Sequence, residues 1–179
     1  MKRFLPLLLL SLVALAVLGW QNLQANPLRT STMPELKVAP PTPPAPVEKT
    51  EEAWRAQLTP EQYYILRESG TEPPFGAVYR QTKDQGAGQY HCAGCGALVF
   101  DAAHKFDSGT GWPSFYDIAE GGQIELLEDR SHGMVRTEVR CKTCQSHLGH
   151  LFLGENYGNL KDQRYCINGL ALVFVPTKE

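Results

Sequence analysis

The rhythm of apolar and polar positions changes along the chain, and each change marks a part of it. Phe4 to Trp20 is uncharged and largely apolar, with Leu7–Leu10 and Leu12–Leu18 at its centre. A run without a polar face does not suit a surface helix of a folded domain. Pro34, Pro40, Pro41, Pro43, Pro44 and Pro46 then interrupt the stretch from Pro34 to Val47. Proline at that density bars packed helix or sheet and predicts an extended spacer. Helical signals follow. A short helix is expected around Glu51 to Gln57. A second starts at Thr59-Pro60-Glu61-Gln62, where Thr59 can cap, Pro60 fits the first helical position and Gln62 completes a capping box. It runs to Ser69, with Gly70 as the stop. Glu72-Pro73-Pro74 argues against further helix.

Beyond that point the period becomes that of strands. Ala97–Phe100, Gln123–Leu127, Met134–Arg140, His150–Leu153 and Ala171–Val175 are short strand candidates, mostly separated by Gly or Pro clusters. Met134–Arg140 alternates, with Val135, Thr137 and Val139 on one face and Arg136, Glu138 and Arg140 on the other. The expected fold is mainly β, two antiparallel sheets with short helices on the N-terminal side.

Charge adds an exclusion. Seventeen basic residues face nineteen acidic ones, for a formal net of −2, which is not the basic footprint of a nucleic-acid binder. Lys2 and Arg3 stand before the apolar run and Leu23-Gln24-Ala25 after it, the layout of a secretory signal peptide. An uncleaved membrane anchor is the rival, although the run is at the short limit for a span of about 20 residues. The expected organisation is a leader or anchor over 1–25, a Pro-rich linker over 26–49 and a folded domain over 50–179. The expected location is outside the cytoplasm, exported or membrane-anchored, in a periplasm or comparable compartment. The domain itself is expected to be monomeric.

Four of the five cysteines form Cys92-Ala93-Gly94-Cys95 and Cys141-Lys142-Thr143-Cys144. Each pair can aim two thiolates at one point, and two pairs complete the tetrahedral set that one structural zinc ion prefers. Disulfides are the alternative that an exported protein would permit. Against them, each pair would close only a tiny loop. The interval from Cys95 to Cys141 exceeds that of a zinc ribbon, so the sheet has to bring the pairs together. A filled four-cysteine site leaves no open position for hydrolysis, and its binding energy, about 10 kcal/mol by analogy with zinc fingers, would count towards folding.

Cys166 remains, in Arg164-Tyr165-Cys166-Ile167-Asn168-Gly169. An unpaired thiol is either buried and inert or reactive. If the stretch is extended, Arg164 and Asn168 share its face. A nearby cation would lower its pKa, and Asn168 could orient a substrate oxygen. Two other segments carry unusual chemistry. Asp107-Ser108-Gly109-Thr110-Gly111-Trp112-Pro113-Ser114-Phe115 is Gly-rich, and its Trp112 is either a pocket wall for an apolar methyl group or plain core. His147-Leu148-Gly149-His150 offers two groups that titrate near neutral pH, or two structural histidines. His91, His104 and His132 are read as structural or exposed.

Thr71-Glu72-Pro73-Pro74-Phe75, both cysteine pairs, Asp107–Phe115, Ser131-His132-Gly133-Met134, His147–His150 and Arg164–Asn168 occur in an order that resembles the R-specific methionine sulfoxide reductases. The likeness spans about Glu51 to Phe174. It implies two antiparallel sheets with a structural zinc, and reduction of methionine-R-sulfoxide in oxidised proteins. It implies that Cys166 is the nucleophile, passing through a sulfenic acid, and that Cys92, Cys95, Cys141 and Cys144 hold zinc. Trp112 would wall the methyl pocket, and His147, His150, Arg164 and Asn168 would complete the site, one of the histidines as acid. Thr110 stands where many members have a resolving cysteine. An external thiol, thioredoxin-like or another dithiol, is therefore expected to regenerate Cys166, because surrendering a zinc ligand would destabilise the fold. Gly169 replaces a usual Ser, and in Gly154-Glu155 the acid comes one position late. The competing functions are a non-catalytic zinc-binding module with an inert Cys166 and a sulfenic acid sensor.

Overall fold

The computed structural model describes residues 45–83, 85–158 and 161–177. The expected leader, and most of the expected linker, lie outside the described residues. Among those described, no helix is long and apolar enough to cross a membrane.

Among the described residues three helices come first: α1 (Glu51–Gln57), α2 (Pro60–Glu68) and α3 (Ala77–Lys83). Thr59 caps α2 as its sequence predicts, accepting from the Gln62 N–H while the Gln62 side chain accepts from the Thr59 N–H. The stop differs from expectation. Ser69, not Gly70, takes the left-handed conformation, at φ 53°. A second correction is α3, which follows the prolines. They bar helix only around their own positions, and a new turn begins when Arg80 N–H bonds the Gly76 carbonyl.

Nine strands follow: β1 (Gly88–Cys92), β2 (Leu98–Asp101), β3 (Lys105–Phe106), β4 (Ser114–Phe115), β5 (Ile124–Asp129), β6 (Arg136–Cys141), β7 (His147–Leu153), β8 (Gln163–Ile167) and β9 (Leu172–Pro176). They form an antiparallel three-stranded sheet, β2-β1-β9, and an antiparallel six-stranded sheet, β3-β4-β8-β7-β6-β5. The mainly β expectation holds. β1, β3, β4 and β8 fall outside the strand candidates read from periodicity. β3 and β4 have two residues each, too short for a period of two to show.

The core lies where the faces of the two sheets meet α1 and α2. Phe100 of β2 stacks on Phe115 of β4 at 4.5 Å between centroids, and Tyr165 of β8 packs beside Phe100. Trp54 and Leu58, with Ile65 and Leu66 of α2, close this core from the helical side. The end of the Pro-rich segment belongs to it as well: Val47 packs on the core and its N–H bonds the Thr143 carbonyl at 2.8 Å.

Two irregularities position the later chemistry. A bulge at Leu148 interrupts the β6–β7 register, which passes from Arg140↔His147 to Val139↔Gly149. In a regular strand His147 and His150, three apart, would point to opposite faces. The extra residue turns both to one face. Gly149 is the second device. A Cβ there would lie 2.0 Å from the Cys166 carbonyl oxygen, so only glycine lets β7 approach β8 at this point.

Thr59→Ala removes the hydrogen-bond acceptor at the start of α2. The expected cost is about 1 kcal/mol in chemical denaturation, with the fold retained.

Candidate active site and metal centre

The two cysteine pairs fold into the same local structure. In the first, Cys92 closes β1, the Gly96 N–H bonds the Cys92 carbonyl, and the Cys92 N–H bonds Ala97. In the second, Cys141 closes β6, the Gln145 N–H bonds the Cys141 carbonyl, and the Cys141 N–H bonds Ser146. The residue after each second cysteine is left-handed, Gly96 at φ 77° and Gln145 at φ 59°. The helices clamp both turns. Gln57 of α1 donates to the Gly94 carbonyl, and Arg67 of α2 donates to the Cys144 carbonyl at 3.0 Å.

The four sulfurs all lie within 4.8 Å of one another, with Cys92–Cys144 at 3.7 Å and Cys95–Cys141 at 3.6 Å. A tetrahedron of zinc–thiolate bonds of about 2.3 Å requires sulfurs about 3.8 Å apart, so the donor set fits the ion. Crowding sets these thiols against one another. Hydrogen bonding with Cys141 holds Cys144 far down and Cys92 far up, a conflict that a divalent cation removes.

Cys166 is half-buried in β8. Its direct neighbours are Ser114 on β4 and His150 on β7. It opens into a pocket of about 190 Å³ lined by Thr71, Trp112, Phe152, His150 and Asn168 among others. Trp112 is a wall and not core. It is half-buried, and its indole N–H is pinned to the Glu72 carbonyl at 3.0 Å. Glu72 also holds neighbouring parts of the site. Its own N–H bonds Asn168 Oδ1, and its carboxylate takes the N–H groups of Gly169 and Leu170. Periodicity gave no sign of this residue.

The Asn168 side chain serves the fold as well as the pocket. Its backbone N–H and its Nδ2 both bond the Leu148 carbonyl, at 2.9 and 3.1 Å. It thereby satisfies the carbonyl that the bulge frees. Its amide keeps a second Nδ2 hydrogen.

Arg164 shares the face of Cys166, as an extended β8 requires. Its guanidinium is held bidentately by Glu155, at 2.7 and 2.9 Å, and lies over the Phe152 ring at 4.5 Å. The late acid of Gly154-Glu155 thus reaches the arginine. The expected lowering of the Cys166 pKa is only partly met. Burial pushes the thiol up and outweighs the Arg164 charge and the hydrogen bonds from Arg164 and Thr110 that pull it down. Pairing with Glu155 blunts the arginine. Thr110 belongs to a chain of hydroxyls, Thr110–Ser108–Ser114, with 2.8 Å at each link.

The two histidines separate in place. His150 lines the Cys166 pocket, whereas His147 lines an adjoining polar cavity of about 370 Å³. Thr71, Arg136 and His150 border both. His147 Nδ1 meets Glu138 at 2.7 Å and His150 Nε2 meets Asp129 at 2.8 Å. Burial pushes the His147 pKa down against the pull of Glu138. Sequence reasoning missed both carboxylates. The charged face of Met134–Arg140 was the one signal, because it placed Glu138 beside Arg136.

The SelR domain profile matches residues 58–176, about two thirds of the chain. The chain belongs to the MsrB family of peptide methionine sulfoxide reductases. The Methanosarcina mazei member is 50% identical over 133 residues, 74% of this chain and 91% of that protein. The Leifsonia xyli member is 48% identical over 134 residues, 74% and 94% respectively. The Chromohalobacter salexigens member is 49% identical over 130 residues, 73% and 96%. The SelR span covers every site residue named above, from Thr71 to Asn168.

The electrostatics around Cys166 can be read by alkylation. Arg164→Met removes a cation and moves half-maximal alkylation of native Cys166 to higher pH. Glu155→Gln removes an anion and moves it lower. The measurement is the pH dependence of the iodoacetamide rate, and shifts of equal sign in the two variants would contradict this account.

Proposed function

We propose that the protein is a peptide-methionine (R)-S-oxide reductase that returns methionine-R-sulfoxide in oxidised proteins to methionine, with Cys166 as nucleophile. The observation that carries this is the placement of Cys166. It is the one cysteine outside the four-sulfur cluster, and it opens into a pocket walled by Trp112 and Phe152 with His150 as its cross-strand neighbour.

The chemistry follows from that placement. The methyl group of the sulfoxide packs on Trp112. The Cys166 thiolate attacks the sulfoxide sulfur, and His150, bordering the pocket, is placed to supply the proton. Thiolate, sulfoxide and one proton give methionine and a Cys166 sulfenic acid. Arg164 holds the thiolate form against burial, and Asn168 holds the bulge that aims the histidines. Thr110 offers Cys166 a hydroxyl but no thiol. Cys92, Cys141 and Cys144 are buried, and Cys95 is half-buried against the core. An external dithiol, thioredoxin-like, therefore reduces the sulfenic acid, yielding thiol, disulfide and water.

One zinc ion is bound by Cys92, Cys95, Cys141 and Cys144 and serves the fold, not the reaction. The protein works as a monomer outside the cytoplasm, delivered by its N-terminal 1–25 segment and spaced by the linker over 26–49, and draws on a reductant of that compartment.

Separate methionine-R-sulfoxide and methionine-S-sulfoxide with dithiothreitol test the function. Turnover of the R form alone, abolished in Cys166→Ser, is expected. Unchanged turnover in that variant would leave a zinc-binding module without catalysis by Cys166. Zinc has its own test. Elemental analysis should find one ion per chain, and chelation should remove about 10 kcal/mol of folding free energy, seen as collapse of the thermal transition.

A further inference from the structure

Two carboxylates hold the two histidines, and they hold them in opposite senses. An ionised carboxylate can only accept a hydrogen bond, so the ring nitrogen facing it carries the hydrogen. His147 is therefore protonated on Nδ1, towards Glu138, and His150 on Nε2, towards Asp129. The nitrogen left on His147, Nε2, is buried and has no hydrogen-bond partner. An unpaired buried acceptor is costly, and it is tolerated where a proton or ligand is to be received. The rings sit edge to face, 5.3 Å between centroids. His147 borders only the polar cavity, while His150 borders both that cavity and the Cys166 pocket.

We propose that Asp129 and Glu138 are positioning residues of the reduction: Asp129 holds the Nε2–H of His150, so that its other ring nitrogen, Nδ1, takes up a proton from the polar cavity and gives it to the substrate oxygen, and Glu138 holds the Nδ1–H of His147, whose ring packs edge to face against His150. The proposal rests on the reductase reading above. Each turnover of the thiolate consumes one proton at that oxygen, and His150 is the imidazole that borders both the cavity and the pocket. Asp129 is built to stay an anchor. It accepts from the Ser131 N–H at 2.8 Å and from Arg136 Nη2 at 2.5 Å as well as from His150. Hydrogen bonds from Ser131 and His150 hold its carboxyl well below the usual range, so the proton stays on the imidazole. Glu68 and His132 also line the cavity and are not among the residues lining the Cys166 pocket.

The test uses the full chain, with methionine-R-sulfoxide as substrate and dithiothreitol as reductant. Asp129→Asn and Glu138→Gln should lower kcat by about 10- to 100-fold while leaving KM, zinc content and the Cys166 alkylation rate near wild type. Glu138→Asp, which keeps the charge, should recover part of the loss. Nitrogen-15 spectra of the wild-type histidines, assigned with His147→Gln and His150→Gln, should show Nδ1–H on His147 and Nε2–H on His150. Reversed tautomers in the wild type would overturn the proposal even if a variant failed to fold. So would full kcat in either carboxylate variant. Absence of turnover in the wild type would instead defeat the reductase reading, and the spectra would still judge the carboxylates.

Discussion

Four sulfurs drawn within 4.8 Å of one another are the constraint from which the rest of this domain is organised. They sit at the ends of strands from different sheets, Cys92 at the end of β1 and Cys141 at the end of β6. Fixing them together fixes one sheet against the other. The second turn runs directly into β7, so the register of His147 and His150 starts from Cys144. The first turn bonds Ala171 through the Ala93 N–H, which fixes the chain just beyond Cys166 and Asn168. The cluster thus locates both strands that line the Cys166 pocket. The helical N-terminal region acts through the same cluster, since Gln57, Arg67 and Val47 each tie a turn in place.

At Cys166 two physical demands oppose each other. A pocket with apolar walls such as Trp112 and Phe152 suits an apolar methyl group, and the burial that comes with it disfavours a thiolate. The structure answers with Arg164 and with hydroxyls, and then restrains the arginine with Glu155. Burial wins in the free protein. Burial favours the neutral thiol, while the groups that favour its ionised form stand beside it. Thr110 hydrogen-bonds Cys166 and brings no second thiol to it.

Glu72 and the Leu148 bulge show how distant segments share one task. Glu72 has no ion-pair partner among the described residues. Its carboxylate, carbonyl and N–H hold the turn after Asn168, the Trp112 indole and the Asn168 amide. Asn168 in turn satisfies the bulge carbonyl that lets two histidines share a face. Packing and backbone bonding, more than charge, therefore set the positions of the ionisable groups.

The sequence by itself determined the parts list. Capping chemistry at Thr59, the alternation of Met134–Arg140, the paired cysteines and the lone Cys166 are local patterns, and local patterns follow from propensity, period and spacing. The four clustered cysteines and the lone Cys166 were legible for that reason. What only the tertiary structure decided depends on contacts between segments far apart in the chain. A spacing of three gives no hint that His147 and His150 share a face, because a bulge answers to its neighbouring strand. Asp129 and Glu138 became partners of those histidines only through the β5–β6–β7 register. The balance at Cys166 belonged to the tertiary structure too, since desolvation depends on everything packed around a thiol and not on the arginine two residues away.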